Sequence, residues 1–312
     1  MWSPRLPFRV VAVGALLLAS PTRAQAEQDP LLPQHRVVYE SLLALRYNPL
    51  GIEEQLVVAY RRRLYDEPGM LWRDAYVGVG FTPTLNPAVA RLGGTLELKP
   101  LAVATLSAGF YYVSWFGALG HLQTFPDATA AHSDSVLEAG ERAGQHRSAS
   151  GTELHLRAQL IGKVGPVVLR NDTSFFRYAL DLGQGERLFY NVRSDLLTPN
   201  DGWAMTNDTD LVYLSDVGVI AGARASVAHA LYRDADYPTA AGGDSNTPIV
   251  RLGPLVAYIF HDEPGSTFNR PTLLLVTGWW LSHRYRTGED TSQAVPYVVL
   301  GFRCEGDLWH SR

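Results

Sequence analysis

Apolar and polar residues trade places at every second position along most of this chain. In "TELHLRAQL", Thr152 to Leu160, the residues Glu153, His155, Arg157 and Gln159 share one parity, and Leu154, Leu156, Ala158 and Leu160 the other. Leu188, Tyr190 and Val192 alternate in the same way with Arg187, Asn191 and Arg193, and Ala90, Leu92, Leu96 and Leu98 with Arg91, Thr95, Glu97 and Lys99. Successive side chains of a strand point to opposite faces, so each run predicts a β-strand with one apolar face and one polar or small face. The pattern predicts strands near Arg36–Tyr47, Glu54–Tyr65, Ala75–Phe81, Ala88–Lys99, Leu101–Trp115, Thr152–Ile161, Val167–Leu180, Glu186–Asp195, Thr206–Leu214, Val217–Arg233, Ile249–His261, Thr272–Tyr285 and Pro296–Cys304. Helical periodicity is confined to the extreme N-terminus and to "SVLEAGERAG", Ser135 to Gly144.

One stretch reads differently. Pro100 to Gly120 carries no charge and is long enough for a membrane helix. Its Thr, Ser, Gly, Tyr and Val content and the Lys99-Pro100 turn before it favour strand. Connectors divide into tight turns (Asn48–Gly51, Lys99-Pro100, Gly162–Pro166, Ser215-Asp216) and two long polar loops, Phe116–Ser150 and Asp234–Pro248. Long loops at one end and short turns at the other demand an even number of strands between the two loops. Five segments are counted there, so one of them is not a wall strand or one is missing, and the total is twelve or fourteen. Twelve is the expected number, with Arg193–Leu214 the place where the count goes astray.

The N-terminus places Arg5 and Arg9 before an apolar run, Val10 to Leu18, and ends on Ala24-Gln25-Ala26. This is the form of a secretory signal peptide cleaved after Ala26, leaving residues 27–312 as a single domain. Cys304 is the only cysteine, so no internal disulfide holds the exported chain. A net charge of −4 without a dominant basic patch argues against nucleic acid as a partner.

Exported strands of roughly ten residues, apolar on one face and lined with Arg, Glu, His and Gln on the other, resemble the Gram-negative outer-membrane β-barrel class. The resemblance is architectural and carries no specific family. It implies a closed antiparallel all-β barrel in the outer membrane, with lipid, lipopolysaccharide and the barrel-insertion machinery as partners. Tyr111, Tyr112, Trp115, Tyr232, Trp279, Trp280, Tyr285 and Tyr297 lie near strand ends, where aromatic rows meet the headgroups. The rival architecture is a secreted soluble β-sandwich or small barrel with the same faces in a dry core.

Candidate lumen-lining residues are Arg61, Arg63, Arg91, Glu97, Glu153, His155, Arg157, Gln159, Arg187, Asn191, Arg193 and Arg224. Unpaired, their arginines would favour anionic solutes; paired with Glu97, Glu153 and Asp195, they would hold a closed wall. No GxSxG, P-loop, dinucleotide fingerprint, HExxH or CxxC occurs. His155, His229, His261 and His283, with Ser174, Ser226 and Ser282, are the residues a lipid-hydrolysing barrel could use, although Ser282 and His283, being adjacent, face opposite ways. "NDT" at Asn171–Thr173 and again at Asn207–Thr209 reads as a turn former or as oxygen ligands for Ca²⁺ in a loop. Neither a resident metal nor a cofactor is expected. The functions these features allow are a narrow pore for small, anionic solutes; a plugged barrel acting through its surface loops; and a barrel hydrolase acting on lipid or lipid A.

Overall fold

The computed structural model describes residues 31–120, 122–238, 246–288 and 291–311. The signal-peptide expectation for Met1–Ala26 lies outside the described residues. Twelve strands form the wall: β1 (His35–Tyr47), β2 (Gly51–Arg63), β3 (Tyr76–Phe81), β4 (Val89–Leu101), β5 (Ala104–Trp115), β6 (Ala149–Val164), β7 (Val167–Leu180), β8 (Trp203–Leu214), β9 (Val219–Leu231), β10 (Ile249–Ile259), β11 (Asn269–Ser282) and β12 (Tyr297–His310). Each pairs antiparallel with its sequence neighbours, and β1 pairs with β12, closing the ring. A short piece, Thr84–Leu85, continues β3 between β2 and β4. Closure leaves no edge of unpaired N–H and C=O groups, the property that lets strands sit in hydrocarbon.

The expected all-β antiparallel barrel of twelve strands is what forms, and Pro100–Gly120 is not a helix. It supplies the end of β4, a turn and β5. The surplus segment is Glu186–Asp195. Its core, Leu188–Asn191, pairs with Leu196–Pro199 and with Thr124–Phe125 in a separate three-stranded sheet. The alternation Leu188, Tyr190, Val192 passed over Phe189, which is apolar on the opposite parity. A wall strand alternates, whereas all four residues of Leu188–Asn191 are buried, as a strand enclosed on both faces requires.

The two ends of the barrel differ. Residues 102–103, 165–166 and 215–218 make tight connections at one end, the turn end, alongside 64–75 and 260–268. The longer connections 116–148, 181–202, 232–248 and 283–296 all emerge at the other, the loop end. Segment 116–148 carries one helix, α1 (Asp134–Arg142), whose N-cap Ser133 accepts a hydrogen bond from the Val136 N–H at 3.4 Å.

The inner sheet sits within the loop-end half of the barrel. Leu188, Phe189 and Leu197, none of them measurably exposed, pack with Trp115, Tyr178, Ala204, Ala230 and Trp280 from the inner wall. The core of this protein is therefore inside its barrel. Outside, Leu92, Leu96, Phe110, Leu156, Leu160, Leu211, Leu273 and Leu300 are exposed large apolar side chains, an apolar belt that nothing among the described residues covers.

Tyr111 shows how the wall makes room for its contents. Its ring lies flat along the inner face over Gly93 and Gly109. A Cβ on Gly93 would come within 2.7 Å of the ring, and one on Gly109 within 2.4 Å of the hydroxyl. Glycine is the residue that permits this approach.

Candidate functional site

Register fixes which side chains face inward. Glu153 pairs across β5 and β7 with Tyr111 and Tyr178, and Gln159 with Thr105 and Asp172, so the polar parity of "TELHLRAQL" is the inner one. Arg91 grips Glu153 through two 2.8 Å hydrogen bonds, stands 3.2 Å from His155 Nδ1, and lies 3.4 Å over the Tyr111 ring. Both partners of this ion pair are buried. Arg157 donates to Asp172 at 2.7 Å, and Gln159 to the same carboxylate at 3.0 Å. Lower in the lumen, Arg61 bridges Glu40 and Glu97, while Arg303 bridges Glu40 and Glu305. Arg224 and Arg170 share Asp210. These interior cations are thus matched to carboxylates, as charges removed from bulk water must be. Arg251 is held differently: its guanidinium lies 3.8 Å over the Tyr297 ring, and among the described residues no carboxylate pairs with it.

Four of the twelve lumen-lining candidates lie off the middle of the inner wall. Arg63, at the turn end, bonds the Leu32 carbonyl and Asp66. Arg187 reaches the Ala235 carbonyl within the loops. Asn191 is buried in the inner sheet. Arg193 follows that sheet and binds Glu53 of β2 at 2.9 and 3.1 Å. Of the eight aromatic residues expected at the membrane interface, Tyr112 and Trp279 face outward and are exposed. Tyr111, Trp115, Trp280 and Tyr285 are buried inside, Tyr232 packs on the same interior core, and Tyr297 lies under Arg251. Position near a strand end does not reveal parity; the register does. The outward aromatic rows include Tyr47 toward the loop end and Tyr60, Tyr213 and Tyr258 toward the turn end.

The most elaborate polar construction lies among the loops. Asp195 accepts from Tyr190 Oη at 2.6 Å and from Arg286 Nε at 2.6 Å. Arg286 continues to Asp134 of α1 with two 2.8 Å bonds and to Asn48 Oδ1 at 2.8 Å. Four connections are tied through one guanidinium. Burial alone would raise the Asp195 carboxyl; contact with His283 and the Arg286 guanidinium outweighs it and holds the group well below the usual carboxylate range. Burial pushes the Tyr190 hydroxyl up, and the Asp195 charge adds to the effect. His283 Nδ1 accepts the backbone N–H groups of Tyr285 and Arg286, both at 3.0 Å, which leaves the proton on Nε2. That nitrogen stands 3.3 Å from Asp195 Oδ2, at ion-pair distance but off the hydrogen-bond line. With Nδ1 committed to two backbone N–H groups and Nε2 buried against Asp195, His283 is a brace and not a base open to a substrate.

Beside this brace a cleft of about 970 Å³ opens at the loop end. Leu50, Leu119, Leu137 and Val295 contribute apolar surface to it, and Glu138 and Glu141 of α1 acidic groups. Along its wall Arg46 donates to the Val192 and Arg193 carbonyls at 2.7 and 3.0 Å, tying β1 to the interior segment.

The hydrolase candidates are not brought together. Ser226 donates to Asp208 at 2.6 Å, His261 contacts the Phe268 carbonyl at the turn end, and His155 belongs to the Arg91 group. His229 keeps the outward parity of β9. Neither NDT lies in a loop: one is in β7, the other in β8. The residues that sequence reading missed are Asp134, Asn48 and Arg286, whose meeting depends on loop geometry that alternation does not encode.

No family model and no curated protein matches the chain. Solved structures similar to it include the NanC porin at 9% identity and TM-score 0.39, covering 86% of this chain and 100% of that one. LpxR from Salmonella typhimurium gives 9%, 0.36, 86% and 99% in the same order. The translocator domain of the autotransporter NalP from Neisseria meningitidis gives 12%, 0.34, 89% and 89%.

Proposed function

We propose that the chain is an outer-membrane barrel that is closed to solute flow and acts through the fixed assembly of loops at its extracellular end. The apolar outer belt bounded by aromatic residues supports the membrane placement. With an N-terminus entering from the periplasm, the loop end faces outward from the cell. The observation that carries the closed state is the inner sheet: Leu188, Phe189 and Leu197 have no measurable exposure within the barrel. Arg46 and Arg193 tie the segment that follows this sheet to β1 and β2 along the wall of the cleft. The arginines that would have made an anion pathway are committed to Glu40, Glu97, Glu153, Asp172 and Asp210. The role of the barrel is then to hold a rigid surface of loops with its cleft toward the medium.

Planar-bilayer recording tests this reading. Folded protein, verified by heat-dependent gel mobility, is expected to give no conductance steps. A variant in which residues 184–199 are replaced by a short Gly/Ser linker is expected to give them. Discrete steps from the intact chain overturn the closed state and restore the narrow pore.

A further inference from the structure

The two NDT triplets, one in β7 and one in β8, pair with each other in opposite directions. Asn171 stands across from Thr209, Asp172 from Asp208 and Thr173 from Asn207. The central aspartates point inward to Arg157 and Arg224. The four flanking residues therefore point outward, on the face that also carries Leu169, Phe175 and Leu211, all exposed. On β8 that face runs from Trp203 at the loop end to Tyr213 at the turn end, with Asn207 and Thr209 midway. A polar quartet thus occupies the middle depth of the apolar belt.

Its internal bonding is nearly closed. Asn171 Nδ2 donates to Thr209 Oγ1 at 2.8 Å and to Asn207 Oδ1 at 3.3 Å. Thr173 donates to Asn171 Oδ1 at 3.0 Å, and Thr209 to Asn207 Oδ1 at 3.1 Å. Asn207 Nδ2 donates to Thr173 Oγ1 at 2.7 Å. A primary amide has two N–H donors, so one N–H of Asn207 is left without an acceptor among the described residues, on a face where hydrocarbon supplies none. Directly across from the quartet the outward positions are Ala158 and Leu160 on β6 and Ala225 and Val227 on β9, so its Thr173 and Thr209 corners are flanked by small side chains. Small side chains let another wall approach closely enough for side-chain hydrogen bonds to form across the gap.

We infer that this face is where the barrel associates with a second copy of itself, through the Asn171, Thr173, Asn207 and Thr209 side chains. The inference rests on the membrane placement proposed above, not on whether the lumen conducts. Lipid headgroups lie at the aromatic rows and do not reach this depth, and acyl chains offer neither donor nor acceptor. A second quartet offers both. Each Asn carries a donor and an acceptor and each Thr a hydroxyl that serves as either, so the array complements itself, as a two-fold interface requires.

Oxidative cross-linking in liposomes provides the test, in a Cys304→Ser background. Thr209→Cys is expected to give a disulfide-linked dimer. Leu43→Cys, outward-facing on β1 five strands away around the ring, is expected to stay monomeric. Single-molecule photobleaching of the labelled protein should show two subunits per complex. Asn171→Leu with Asn207→Leu should weaken self-association by about tenfold, the size expected for polar side chains bonding between membrane segments. Heat-dependent mobility of every variant separates loss of association from failure to insert. A wild-type protein that is monomeric at every protein-to-lipid ratio, equal cross-linking at both cysteines, or recovery from native membranes solely with a different protein would each overturn the inference.

Discussion

Arg286 and Asp195, 91 positions apart, meet through a 2.6 Å Nε–Oδ2 bond and a 3.3 Å second contact, both side chains buried. The same guanidinium holds Asp134 and Asn48, so the pair decides whether the loops form one body. Removing one partner of a buried ion pair strands the other charge, at about 3–5 kcal/mol. Asp195→Ala is expected to leave the barrel folded, with unchanged heat-dependent mobility, while α1 and residues 181–202 become protease-sensitive. Equal protection of wild type and variant would show that the brace does not hold the loops.

Acid should loosen the same region. Burial pushes His132 down to about 4, and its ring sits 4.9 Å from that of Tyr285. Between pH 6.5 and 4 the unfolded loop binds a proton that the folded loop refuses, so stability falls as pH falls through that window, by up to about 3 kcal/mol. Asp195 adds a second loss at lower pH: its folded carboxyl is depressed, so its contribution is present above the ordinary carboxylate pKa and disappears on acidification. The hydrogen-exchange protection of residues 122–138, taken relative to the intrinsic exchange rate at each pH, should fall from pH 7 to pH 4.5, and His132→Phe should flatten the response between 6.5 and 4.

The Arg91–Glu153 pair should behave as a unit. Either single alanine substitution leaves a buried charge and should cost several kcal/mol, whereas an apolar pair of similar volume, Arg91→Met with Glu153→Leu, should cost much less than the sum. Urea unfolding in detergent micelles, followed by tryptophan fluorescence, reads the difference. Additive losses would mean that the pair is not coupled.

Gly109 and Gly93 should not tolerate a side chain. A Cβ at Gly109 would overlap Tyr111, whose hydroxyl lies 2.7 Å from Thr95 Oγ1 and whose ring carries Arg91. Gly109→Val is expected to destabilise the barrel by about 2–4 kcal/mol, through overpacking and loss of the stacked guanidinium. Gly162, with open space around its Cβ position, is the control, and Gly162→Val should be nearly neutral.

Much of the wall was legible because alternation is a local property. Glu153, His155, Arg157 and Gln159 declared their common face without any knowledge of neighbours, and the register confirms it. What alternation cannot say is which face is inward at a given strand end. Tyr111 and Tyr112 looked alike in sequence, yet one lies over two glycines inside the barrel and the other faces out. The inner sheet was misread for a related reason. Leu188 and Tyr190 kept the period that a wall strand needs, and Phe189, which broke it, was the sign of burial on both sides. The NDT triplets carry turn-forming residue types, and only their mutual pairing across β7 and β8 shows why they stand in strands. Asn48, Asp134, Asp195 and Arg286 have no common sequence signal at all. Their meeting is set by where four loops return to the barrel.

The seam between β1 and β12 joins Arg36 to His310 and Tyr47 to Val298. Those partners are more than 250 positions apart along the chain, so the ring cannot shut until all twelve strands are available. Until then β1 and β11 each present an open edge, and the apolar interior built around Leu188 and Leu197 has no complete enclosure. Folding is therefore slow by topology and hazardous by exposure. A half-made barrel is a sticky one, and the timing of its last strand governs whether the loops ever reach their fixed arrangement.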